Sequence, residues 1–103
     1  MNQQDRQILF HSALAGIQGM QSSAGDNHRI LTSIANQLVY LGDVAAGVTP
    51  PDRLAEIIIG VQTAREIDGW DDNVAALLYA CAAEAKAMQL EESLAGVRIE
   101  PKK

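Results

Sequence analysis

Metal chemistry needs His, Cys or carboxylate side chains gathered on neighbouring turns, and this 103-residue chain has two histidines and one cysteine. His11 and His28 fall on different predicted elements, and no Glu-x-x-His pair accompanies them, so both read as surface residues. A helical Mg-dependent nucleotide hydrolase would hold its ions with carboxylates at i and i+3 or i+4 on facing helices. Glu66 and Asp68 have the wrong spacing for that, and Asp68, Asp71 and Asp72 share a turn where helix capping accounts for them. Neither a Gly-rich phosphate loop nor a serine nucleophile elbow occurs. Cys81 lies on an apolar helical phase, which points to packing rather than nucleophilic attack. A single cysteine also forms no intramolecular disulfide, so the expected compartment is the reducing cytoplasm. The reading is of a protein that is not an enzyme, with no metal and no cofactor.

The informative polar residues suit contact rather than catalysis. Arg29, Asn36, Tyr40 and Asp43 recur on one stripe of a predicted helix, and Tyr beside Arg and Asp is the composition of an interface hot spot. The other reading of Tyr40 is a ring lying flat along the fold. Arg65 is placed to bond the last carbonyls of its helix and a nearby carboxylate such as Asp68. Trp70, in the turn Asp68-Gly69-Trp70-Asp71-Asp72, is either a lid over the end of the fold or an exposed anchor.

Four helices must position these residues. Leu9, Ala13, Gly16, Ile17 and Met20 recur at helical spacing and predict a first helix over about 4–22. Turn residues 22–27 break it, with Asp26 or Asn27 as the next cap. The second helix runs to about Ala46 with an apolar arc of Ile30, Leu31, Ile34, Ala35, Leu38, Leu41 and Ala45, and Gly47 stands where a left-handed cap belongs. Thr49-Pro50-Pro51-Asp52 predicts the start of a third helix, to Ile67. Its main face is Leu54, Ile57, Ile58, Val61 and Ala64, with Ile59 and Ile67 on the far side. A fourth helix, about 72–90, has a main face of Val74, Leu77, Leu78, Cys81, Ala85 and Met88 and a second stripe of Ala76, Ala80, Ala83 and Ala87. Connections of about five residues between amphipathic helices give antiparallel neighbours, hence an all-α bundle of one domain over 1–92, with a tail at 93–103.

Composition agrees. The chain is 48% hydrophobic, enough for one aliphatic core, and carries 13 acidic against 8 basic residues for a net charge of −5. That sign disfavours nucleic acid as a partner. No stretch reaches the about 20 apolar residues that span a bilayer, and the short run Ile8–Ile17 lacks the basic leader of a signal peptide.

Ala35-Asn36-Gln37-Leu38-Val39-Tyr40-Leu41, then Asp52-Arg53-Leu54, Ile59-Gly60, Thr63-Ala64-Arg65-Glu66-Ile67, an acidic turn and Leu77-Leu78-Tyr79 follow one another in order. Over residues 30–90 this succession resembles the type VI secretion immunity proteins whose founding member neutralises a secreted NAD(P)+-hydrolysing toxin. The acidic turn lacks the proline that the resemblance leads one to expect. The resemblance implies a small cytoplasmic protein that binds the catalytic domain of a toxin, NAD-hydrolysing or ADP-ribosylating, and occludes its site. An acidic surface suits a cleft evolved for an anionic dinucleotide. Tyr40 and Asp43, with Glu66, Asp68, Trp70 and Asp71, are the expected contact residues. A self-associating helical adaptor, a homodimer through the alanine stripe, is the alternative.

Overall fold

A computed structural model describes residues 2–22 and 25–98, apart from the side chains of Asp26 and of residues 95–98. Helix α1, Gln3–Gln21, begins where the Asn2 side chain accepts the Asp5 N–H at 2.8 Å, filling one of the orphan donor positions at a helix start. It buries Ala13, Ile17 and Met20 of the expected stripe together with Phe10 and, one turn earlier, Arg6, while Leu9 and Gly16 are half-buried.

Helix α2, His28–Ala45, buries Leu31, Ile34, Leu38, Leu41 and Ala45, as its periodicity predicts. Asn27 precedes it without a side-chain cap bond, and the Asp26 side chain lies outside the described residues. Gly47 ends the helix in the left-handed region, φ 79°. Its N–H reaches the Val44 carbonyl at 3.0 Å, and the Val48 N–H reaches that of Asp43 at 2.9 Å, the paired bonds of a glycine helix stop. Gln7 Nε2 donates to the Ala45 carbonyl, so α1 and α2 run antiparallel.

The predicted third helix is corrected in both its start and its face. Residues 46–58 form turns with a 3₁₀ turn at Leu54–Glu56, and Ile57 is extended (φ −72°, ψ 122°). Helix α3 starts only at Ile59–Gln62 and passes into a π-helical turn, Thr63–Ile67, closed by Asp68 N–H to Thr63 carbonyl at 2.8 Å. Pro51 pushes the preceding Pro50 out of the helical region, and the extended Ile57 resets the phase. Ile59, Thr63 and Ile67 are therefore buried, while Ile58, Val61 and Ala64 face outward. A helix apolar on two sides was legible; which side meets the core was not.

Helix α4, Asp72–Arg98, continues past the expected fade at Leu90; residues 99–103 of the expected tail lie outside the described residues. Val74, Leu78, Cys81, Ala85 and Met88 enter the core as predicted. Ala76, Ala80 and Ala83 of the second stripe are exposed. Close backbone approach occurs elsewhere. A Cβ on Gly60 would meet the Ala82 methyl at 3.3 Å, and one on Gly16 would meet Val74 Cγ2 at 2.9 Å, which brings α1 and α3 onto α4. Together the four helices form an antiparallel all-α bundle around an aliphatic core.

Candidate partner-binding surface

Two polar side chains of α2 hold the irregular 46–58 connection. The Tyr40 hydroxyl accepts the Arg53 N–H at 2.9 Å and donates to the Pro50 carbonyl at 3.3 Å, giving partners to backbone groups that the prolines exclude from a ladder. Its ring is half-buried and packs against the core, so Tyr40 lies along the bundle and fastens the loop. Gln37 was not singled out from sequence, yet its Oε1 accepts the Ile58 N–H at 2.7 Å at the start of α3. Its Nε2 donates to Gln62 Oε1 at 2.7 Å, and Gln62 donates on to Ser33. Ser33 and Gln37 sit four apart on α2, which is the one signal the sequence held.

The acidic turn stands beyond the ends of α3 and α4. Asp71 Oδ1 accepts the N–H groups of Asn73 and Val74, each at 3.1 Å, so Asp71 is the cap that starts α4. Asp68 Oδ2 accepts the Tyr79 hydroxyl at 3.0 Å. Partial burial and that bond together push the Tyr79 phenol up from its ordinary range. The clamp expected between Arg65 and Asp68 does not form, because Asp68 turns to Tyr79 and Arg65 projects outward one turn after Val61. Glu66 is exposed and Trp70 keeps 37% of its surface in solvent.

Tyr40 and Asp43 do not join this turn. Gln37 meets Ile58 and Ser33 meets Gln62, so α3 runs back along α2 toward its start and carries the acidic turn away from Tyr40 and Asp43. The Asp43 carbonyl is occupied by the helix stop. Two separate surfaces result, one beside the 46–58 connection and one at the acidic end.

Arg6 is the polar residue that sequence reasoning missed most plainly. It is 5% exposed, and its guanidinium bonds Glu84 through Nε, Glu91 through both terminal nitrogens at 3.1 and 2.6 Å, and Gln3. The hydrogen bonds to Glu91 lead in raising the Arg6 pKa, and Arg6 in turn holds the Glu91 carboxyl below the usual range. Gln3, Arg6 and Glu91 of the cluster line a cleft together with Pro50, Pro51, Leu54 and Met88. It is satisfied internally, which marks it as a fastening between α1 and α4. The signal was its phase: six, ten, thirteen and seventeen share one face.

Among the described residues no group of three His, Cys, Asp or Glu side chains is arranged to hold a metal ion. His11 and His28 are exposed, as expected. No helix of the described residues is long and apolar enough to cross a membrane. A family model described as Tsi6 matches residues 8–87, which reaches into α1 as well as the segments from Ala35 to Tyr79. No curated protein and no solved structure matches the chain.

Proposed function

The chain belongs to the Tsi6 family of type VI secretion immunity proteins, and from that membership we propose that it binds the catalytic domain of a cognate toxin, occludes the active site and so protects the producing cell. The observation that carries this reading is the family match over residues 8–87. The proposed partner is a toxin that consumes NAD+, by hydrolysis or by ADP-ribosyl transfer, and the proposed compartment is the cytoplasm, where such a toxin acts.

Charge supports it. With 13 acidic against 8 basic residues, the chain presents the sign that a cleft built for an anionic dinucleotide attracts. We place the occluding contact at the acidic end, where Glu66, Asp68 and Asp71 flank the partly exposed Trp70 in sequence, and we assign Tyr40 and Asp43 a flanking role. Trp with acidic neighbours is an interface anchor of the kind that dominates binding energy.

Co-expression with the C-terminal domain of the toxin encoded beside this chain, scored for growth and intracellular NAD+, tests the reading. Rescue of both, with a co-purifying complex, is expected. Growth rescue without NAD+ loss in the toxin-only control would keep immunity and discard the NAD chemistry. No rescue and no complex would overturn immunity.

One observation favours a second reading, self-association: Ala76, Ala80 and Ala83 are exposed on α4. Sedimentation showing a monomer at micromolar concentration would remove it.

A further inference from the structure

We propose that the toxin is also gripped across the outer face of α3 and α4, by an apolar segment of the toxin that carries carboxylates. This rests on the immunity reading and adds to it a place and a chemistry of contact.

The face exists because of the phase of α3. With Ile59, Thr63 and Ile67 taken by the core, Ile58 and Val61 are left 50% and 57% exposed. Across from them, Ala83 of α4 is exposed, and Gly60 against Ala82 keeps the two helices close enough to form a shallow apolar groove. The groove also takes in Ile57, Lys86 and Gln89. Ile58 and Val61 are larger than a solvated helix surface requires, and none of the described residues covers them.

The charges at its border decide the occupant. Arg65 follows Val61 by four residues on the same helix face, and Lys86 follows Ala83 by three. Both are exposed and neither makes an ion pair with a described residue, whereas Arg6 and Arg53 are each bound to glutamate and Arg29, also without a described ion pair, lies on α2 away from the groove. In a chain with an excess of carboxylates, two cations left free beside an apolar groove call for carboxylates from outside. A second copy would turn the same two cations toward its own in a two-fold contact. A net charge of −5 opposes an anionic lipid surface. A carboxylate-bearing apolar segment satisfies both the groove and its rim, the arrangement of an interface with an apolar centre and a polar edge. The bond from Tyr79 to Asp68 makes this face continuous with the acidic end, so one partner can span both.

The test measures affinity for the same toxin domain by titration, and rescue in co-expression, with four variants whose fold is checked by thermal melting. Val61→Glu and Ala83→Glu put a carboxylate in the groove, Arg65→Glu/Lys86→Glu reverses its rim, and Gln18→Glu adds the same charge on the exposed side of α1 as a control. The first three are expected to weaken binding at least about tenfold and the control to leave it unchanged. Wild-type affinity in all three would overturn the inference while leaving immunity intact. Equal loss in the control would reduce the effect to net charge and overturn it as well. A concentration-dependent dimer of the chain alone, abolished by Val61→Glu, would give the groove to a second copy, and flotation of the chain with anionic vesicles would give it to lipid; either result overturns the toxin assignment. Failure of the wild-type chain to bind the toxin takes down the function and this inference together.

Discussion

Arg6 shows how a charged residue enters an aliphatic core. A lone guanidinium there would be costly, but four acceptors from Gln3, Glu84 and Glu91 meet it, so the charge is paired in place. Arg6→Met keeps much of the apolar stem and strands Glu84, whose side chain is 15% exposed, while Glu91 at 59% returns to water. Chemical denaturation should show a loss of about 2–3 kcal/mol, below the range for a fully buried pair because one partner re-solvates. The pH dependence has a definite sign. Arg6 lowers the Glu91 pKa from 4.5, so this stabilisation is present above pH 4.5 and is lost as pH falls through the lower folded value. Acid titration of the melting temperature should therefore be flatter in Arg6→Met. Cys81 gives a second readout: fully buried, its thiol is pushed up to about 12 by desolvation. Labelling by a thiol reagent at pH 8 should be slow in the folded protein and match its opening rate; reaction as fast as for a free thiol would contradict the burial. Cys81 was legible from its apolar phase. The role of Arg6 was not, because its acceptors lie 78 and 85 residues away in sequence.

At the scale of elements, α1, α2 and most of α4 were readable because each has one dominant apolar stripe at helical spacing. Residues 46–67 were not. Their pattern is apolar on two sides, and the choice between sides depends on where the helix begins. That start is set by Gln37 and Tyr40 reaching across from α2, long-range contacts that no local pattern encodes. Gln37→Ala should leave α1 and α2 intact, cost about 1 kcal/mol, and raise amide exchange selectively over residues 58–67. Uniform exchange across the bundle would show instead that α3 opens only with the whole. Gly47→Ala should cost about 1 kcal/mol in thermal or chemical melts, because φ 79° is left-handed and no neighbouring atom crowds the site. An unchanged stability would mean that the helix stop relaxes without strain.

For the whole molecule, the sequence conveyed an acidic, antiparallel all-α bundle and a family likeness from Ala35 to Tyr79. It did not convey that Tyr40 and the acidic turn stand apart, since α3 runs back along α2 and places them at different levels of that helix. Charge acts at this scale. If the acidic end steers the chain toward a basic cleft, raising salt from about 0.05 to 0.5 M should slow association with the toxin several-fold and change dissociation much less. Stopped-flow rates that are independent of salt would remove steering from the account.

The clasp between α1 and α4 also has a consequence during synthesis. Arg6 emerges from the ribosome early and must wait for Glu84 and Glu91, 78 and 85 residues later, before its charge is matched. At about 5–20 residues per second that interval is roughly 4–17 s. A chain that works only when folded, as the proposed immunity requires, would therefore gain this clasp no earlier than the completion of α4.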